Sequence, residues 1–260
     1  MGVLNVTPDS FSDGGEFFDR AKAIEHGQAM AAAGADIIDV GGESTRPGSE
    51  PVALDDELKR VVPVVTELNK SVKALISIDT AKAEVARAAI DAGASLVNDV
   101  TAGRNDPGMF PLVARTKAAM ILMHMQGEPR TMQAAPAYDD VVSEVAIFFR
   151  QQYGCALECG IDPMAIAFDP GIGFGKTLEH NLALLRSLME LRVENRPVVV
   201  GVSRKSSLAK LMGSEAREDR VNATVALTAL LRPRGGDVFR VHDVAQNVQA
   251  LRVSEALGEA

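Results

Sequence analysis

The chain has 260 residues and a formal net charge of −8, with 47% hydrophobic and 24% charged residues. That balance is ordinary for a globular domain, and its acidic sign argues against a nucleic-acid partner, for which a basic face is the electrostatic footprint. No apolar run reaches the roughly 18 residues that would span a membrane, and Asp9, Asp13 and Glu16 interrupt any stretch that might pass for a signal peptide.

In chain order, eight short apolar runs each end in a polar or ionisable residue. They are Val3-Leu4 into Asn5, Ala35 to Ile38 into Asp39, Ala74 to Ile78 into Asp79, and Ser95 to Val97 into Asn98. The second half adds Ala119 to Met123 into His124, Ala165 to Phe168 into Asp169, Val198 to Val202 into Ser203-Arg204-Lys205, and Asp237 to Phe239 into Arg240 and His242. Helical sequence lies between them at about 19–33, 54–69, 81–92, 108–117, 139–159, 179–193, 217–232 and 243–257. Strands this uniformly apolar belong to a parallel sheet covered on both faces. Eight strand–helix units in a chain of this length predict an α/β fold, a single-domain (β/α)₈ TIM barrel over residues 1–260. Ala-Gly-Ala at 33–35 and 92–94 ends a helix with glycine and enters the next strand, as expected of turns on the barrel floor. The only cysteines, Cys155 and Cys159, are expected to be buried packing residues rather than a metal pair, in a reducing compartment, the cytoplasm.

Strand ends deliver chemistry to the mouth of such a barrel. Asp79, Asn98 and Asp169 end three different strands. Asp79 is followed by Thr80, which could cap the helix just as well and leave the carboxylate free. Two carboxylates and an amide around one apolar pocket suit a flat heterocycle with several N–H groups better than a metal, because no neighbouring His supplies a third ligand. Opposite them are expected the cations Arg46, Lys205 and Arg240, with His242. Loops after strands seven and eight are the usual phosphate site of this fold, and Arg forks pair with phosphate oxygens. Arg240 and His242, two apart, share one strand face and read as a joint anionic site.

Two βα segments, 5–18 and 41–53, exceed the usual 2–6 residues and read as binding loops. Asp169 to Thr177 superficially resembles a P-loop, but Pro170 stands where that motif needs glycine, so ATP binding is rejected. Met123 reads as a pocket wall in preference to His124 as a catalyst. Asp55-Asp56-Glu57 reads as a helix-dipole cluster.

Together, the blocks Met1–Gly15, Gly41–Gly48, Ser77–Thr80, Asn98–Val100, Met123–Gly127, Asp169–Lys176, Ser203–Ser206 and Arg240–Val244 resemble the dihydropteroate synthase family of pterin-binding barrels. They occur in family order over essentially the whole chain. The resemblance implies a folate-biosynthesis transferase that joins p-aminobenzoate to 6-hydroxymethyl-7,8-dihydropterin pyrophosphate, yielding 7,8-dihydropteroate and pyrophosphate, and a sulfonamide target. It implies pterin held by Asp79, Asn98, Asp169 and Lys205, and pyrophosphate held by Thr45, Arg46, Arg240 and His242. Asn5 would bind Mg²⁺, and Phe11, Pro47, Phe174, Lys205 and Ser206 would surround p-aminobenzoate. A homodimer is implied as well. Two departures stand out: Met1 opens the first block, where the family usually has a preceding segment, so the floor is expected to be bare or the chain shortened. Ser207 stands where Phe is frequent. A pterin-dependent methyltransferase of the same superfamily would have no use for Arg46 or the Ser-Arg-Lys-Ser block, and a silent pterin-binding paralogue would not need the cations.

Overall fold

The computed structural model describes residues 1–7, 15–44, 49–128, 131–205, 213, 214 and 216–258, with the backbone alone at 15–19. Its strands are β1 (Gly2–Asn5), β2 (Ile37–Gly41), β3 (Leu75–Asp79), β4 (Leu96–Asp99), β5 (Ala119–Met123), β6 (Ile166–Asp169), β7 (Val199–Val200) and β8 (Val238–Phe239). β1 to β6 form one parallel ladder in chain order, and β7 pairs with β8. Bridges Phe168 to Val198 and Gly2 to Val241 close both seams, with Phe168 N–H on Pro197 O and Val3 N–H on Val241 O, each at 2.9 Å. The expected barrel therefore closes, and among the described residues closure leaves no strand with an open edge.

The helices α1 (Gly15–Ala32), α2 (Leu54–Ser71), α3 (Ala83–Asp91), α4 (Met109–Thr116), α5 (Val141–Glu158), α6 (Leu178–Arg186), α7 (Arg217–Leu231) and α8 (Val244–Gly258) fall in the helical stretches read between the apolar runs. One difference is at 179–193, where the α-helix stops at Arg186 and a 3₁₀ turn occupies Leu188–Leu191. Alternation along the strands sorts side chains between two cores. Leu4, Ile38, Ile78, Val97, Met120 and Phe168 face outward and are fully buried against helices, each contributing about 1.5–3 kcal/mol by leaving water. Ile37, Leu96, Ala119, Ile121, Ala167, Val199 and Val238 form a separate cluster with Met1, which plugs the lower barrel. Gly93 turns from α3 toward β4 at φ +117°, and a Cβ there would collide with Asn69.

The cysteine expectation fails. Cys155 on α5 and Cys159 at its C-cap are both exposed, because the apolar face of α5 is made by Val141, Val145, Ala146, Phe149 and Ala156 instead. Thr80 does not cap α3 either. The first N–H of that helix, at Ala83, is accepted by Asp106 Oδ2 from the next βα loop at 2.8 Å, and the Thr80 hydroxyl donates to Glu57 Oε1 at 2.7 Å.

Candidate active site

A cavity of about 1160 Å³ opens at the C-terminal ends of the strands. Asn5, Asp79, Asn98, Met123, Asp169, Phe174, Lys205, Arg240 and His242 all line it, so the sequence-derived residues converge. Phe11, Thr45, Arg46, Pro47 and Ser206 lie outside the described residues. Six cationic side chains (Lys176, Arg204, Lys205, Arg217, Arg220 and Arg240) face four carboxylates (Glu43, Asp79, Asp169 and Glu179) in the lining. The mouth is thus locally positive in a chain of net charge −8, as a site for an anionic substrate requires. Arg217 and Arg220 escaped the sequence reading, although both open α7 soon after the Ser-Arg-Lys block. Arg220 Nε is buried with no hydrogen-bond partner among the described residues.

Above the apolar plug sits a polar layer whose hub is Asp39, fully buried inside the barrel. Asp39 accepts from Ser77 Oγ at 2.6 Å, Asn98 Nδ2 at 3.0 Å and Arg240 Nε at 2.6 Å. Arg240 also donates from Nη2 to Asp79 Oδ2 at 2.5 Å. This corrects the expectation that Arg240 faces the carboxylates from across the pocket and that the Asp79 carboxylate is left available. One guanidinium joins two carboxylates, since closing the barrel brings β8 around to β2 and β3. Burial raises Asp79 to about 7, against the opposing pull of Arg240 and with help from Asp39. Burial would strip charge from Arg240, but Asp39 and Asp79 outweigh it and hold its proton more tightly than usual. Asp39 was legible only as one more strand end; its hub role depends on three strands that are remote in sequence.

Asp169 is pushed up by burial and pulled down by the Gly171 N–H and Lys205. Its Oδ1 accepts that N–H at 2.7 Å, which orients the carboxylate while the chain turns away. Gly171 has φ +65°, and any Cβ would run into the backbone oxygen of His124. The glycine-rich turn therefore exists to let the β6 loop touch the β5 loop. Lys176, almost wholly buried, fastens the contact by donating to His124 Nδ1 at 3.0 Å, His124 O at 3.3 Å and Phe174 O at 3.0 Å. Burial lowers Lys176 to about 7. Burial and the Lys176 charge push His124 down to about 3. His124 is neutral, occupied at Nδ1, packed edge-on to Phe148 at 4.9 Å and absent from the lining, while Met123 forms wall. The Phe174 ring in turn carries the Lys205 ammonium 4.2 Å from its centroid, a cation–π contact.

The β7 and β8 loops are laced by side chains. Ser203 Oγ takes the His242 backbone N–H at 3.1 Å and lies 2.9 Å from His242 Nδ1. Arg204, at φ +55°, donates through Nε to Asp243 Oδ2 at 2.9 Å. At the second loop, Lys82 Nζ reaches Glu43, Glu57 Oε2 at 2.5 Å and Val52 O at 2.9 Å. Glu57 is fully buried, so reading Asp55-Asp56-Glu57 only as a helix-dipole cluster missed it. A signal was present: Glu57 falls on the buried α2 stripe of Val61, Val64, Val65 and Leu68. Asn5 also lines the cavity, and its side chain has no hydrogen-bond partner among the described residues.

Residues 1–242 match the model of the pterin binding enzyme family. The dihydropteroate synthase of Synechocystis is 46% identical over 257 residues, 99% of this chain and 89% of that protein. A solved structure of Xanthomonas albilineans dihydropteroate synthase with 4-aminobenzoic acid superposes with a TM-score of 0.94 at 45% identity, covering 100% of this chain and 93% of that one. A structure of the same enzyme in complex with 7,8-dihydropteroate gives 0.90 at 43% identity, with the same coverage.

Proposed function

The chain belongs to the pterin binding enzyme family and acts as a dihydropteroate synthase, and we propose how its barrel mouth divides that work. The observation that carries the assignment is the convergence of Asp79, Asn98 and Asp169 from β3, β4 and β6 on one cavity whose other rim is cationic. Asp169, oriented by Gly171, accepts hydrogen bonds from the aminopyrimidine edge of the pterin, and charge-assisted bonds of this kind are roughly twice as strong as neutral ones. Asn98 and Asp79 serve the remaining ring atoms, and Met123 supplies an apolar face.

The pyrophosphate leaves from a methylene attached to an electron-rich ring, so bond breaking runs toward a pterin-methyl cation. Catalysis then consists chiefly of stabilising the departing anion, the role of His242, of the Arg240 N–H groups not given to Asp39 and Asp79, and of Arg46 with Thr45. The neutral aromatic amine of p-aminobenzoate attacks without a strong base, held by Lys205 on Phe174, with Phe11, Pro47 and Ser206. Asn5 fits Mg²⁺: a neutral oxygen on the cavity wall with no protein partner among the described residues suits an ion that keeps waters and takes substrate phosphate oxygens. Bound there, the ion would supply Lewis-acid neutralisation of the pyrophosphate. Among the described residues no group of three His, Cys, Asp or Glu side chains could hold a metal, which accords with an ion held largely by substrate.

The chain works in the cytoplasm as a homodimer; the exposed thiols Cys155 and Cys159 suit a reducing compartment. Exposed Leu230, Val253 and Leu257 on α7 and α8 offer apolar surface for a second copy to cover. No helix among the described residues is long and apolar enough to cross a membrane. Pyrophosphate release from dihydropterin pyrophosphate with Mg²⁺, with and without p-aminobenzoate, tests the chemistry. Dihydropteroate formation that disappears in Asp169→Ala is expected; tight pterin binding without turnover would refute it. Unchanged single-turnover release in both Arg240→Ala and His242→Ala would sink the anion-stabilisation account.

A further inference from the structure

We infer that Ser203 is a positioning residue whose hydroxyl holds His242 in the tautomer with its ring proton on Nε2. The argument is a count of protons and acceptors. A serine hydroxyl has one proton to give and two lone pairs to fill. Ser203 Oγ accepts the backbone N–H of His242 at 3.1 Å and lies 2.9 Å from His242 Nδ1. No other acceptor lies within range of that oxygen among the described residues, and Ser203 is buried. If Nδ1 carried the proton, the oxygen would accept from both His242 N–H groups and its own proton would be left without a protein acceptor, turned to the cavity that Ser203 lines, whereas donation to Nδ1 pairs every group of the two residues. The O–H therefore points at Nδ1, and the ring proton resides on Nε2.

The consequence concerns the anion. His242 lines the cavity, and an imidazole engaged through Nδ1 presents Nε2 at the opposite edge of its ring. Nε2–H is a donor that a phosphate oxygen accepts, whereas a bare Nε2 lone pair would face that oxygen repulsively. The device is held in register by the next pair along. Arg204 sits at φ +55°, a conformation costly for a side chain of its size. It is kept there by Asp243 and by its backbone N–H on Thr224 Oγ1 at 3.2 Å. Two consecutive cross-loop pairs, Ser203 with His242 and Arg204 with Asp243, thus fix the ring and its proton before substrate arrives. The functional half of this inference rests on the reading that His242 meets the pyrophosphate.

The test is ring-nitrogen NMR of the full chain with labelled histidine, without substrate, at a pH where imidazole is neutral. His242 is assigned by the signal lost in His242→Gln. The wild-type ring should be protonated at Nε2, Ser203→Thr should keep that signature, and Ser203→Ala should show a tautomer mixture. Protonation at Nδ1 in the wild type, or an unchanged tautomer in Ser203→Ala, overturns the inference whatever becomes of the pyrophosphate assignment. In steady state, Ser203→Ala should lose about tenfold in kcat/KM for dihydropterin pyrophosphate, the lower end for removing a group that orients a ligand histidine. The KM for p-aminobenzoate should hold and Ser203→Thr should restore the rate. A changed tautomer with unchanged kcat/KM overturns the functional half. Wild-type release by His242→Gln would instead remove the pyrophosphate reading and leave the tautomer result standing.

Discussion

The carboxylate side of the mouth and its cationic side are built differently. Asp39, Asp79, Asn98 and Asp169 ride on β2, β3, β4 and β6, which belong to one continuous six-stranded ladder. Lys205, Arg240 and His242 follow β7 and β8, which are two residues long each, and are placed by side-chain bonds to Phe174, Asp39, Asp79 and Ser203. The first arc inherits its geometry from backbone pairing; the second is assembled by individual polar contacts. On the roles proposed above, the groups assigned to the pterin ring are therefore set by the sheet, and the groups assigned to the departing anion are set by removable side chains. Changes in the buried hub should cost stability, and changes along the cationic rim should cost rate.

The hardest test of that division is the hub. Asp39→Ala leaves the Arg240 guanidinium with one carboxylate and strands the buried Ser77 and Asn98 donors. Breaking a buried pair of this kind costs about 3–5 kcal/mol, which urea unfolding would register; a loss below about 1 kcal/mol would mean the layer is not a structural hub. Asp169→Ala should keep its fold and lose kcat/KM. At about 1.5–3 kcal/mol for each of two charge-assisted bonds, the fall is roughly 10²- to 10⁴-fold, read by pyrophosphate release alongside circular dichroism. On the opposite rim, Asp243→Asn should lower stability by about 1 kcal/mol or less, the worth of a partly exposed pair, yet reduce kcat several-fold as Arg204 and Ser203 shift. Equal losses of stability at Asp39 and Asp243 would erase the distinction between the two arcs.

A pH test addresses the weld between the β5 and β6 loops. Burial lowers Lys176 from its usual 10.5 to about 7, so between those values the unfolded chain binds more protons than the folded one. Its contribution is fully present above about 10.5 and is lost as pH falls through about 7. Unfolding free energy should therefore gain more between pH 7 and pH 10 in the wild type than in Lys176→Met; parallel curves would show that the lysine keeps its usual affinity. Smallest of all, Cys155→Ser and Cys159→Ser should each change stability by less than about 0.5 kcal/mol, as exposed positions do.

Much of this molecule is legible in one dimension. Eight apolar runs with helical spacers determined the barrel, because parallel strands covered on both faces must be apolar and each crossover helix needs its own stretch of chain. Strand-end position determined that Asn5, Asp79, Asn98, Asp169, Lys205, Arg240 and His242 face one mouth, since the C-terminal ends of all eight strands share it. Only the tertiary structure decided which of those groups touch. Arg240 belongs to Asp39 and Asp79 because closure sets β8 beside β1 and near β2 and β3, a neighbourhood with no trace in local spacing. Glu57 is buried and Cys155 exposed because the helix face that meets the sheet follows from packing, while residue type sets only a preference. The turn at Gly171, readable as glycine-rich, acquires its purpose from the backbone of His124, 47 positions earlier in the chain. Local pattern determines which elements form and which way they run; charge partners and proton positions are settled by the approach of residues that only a closed barrel brings together.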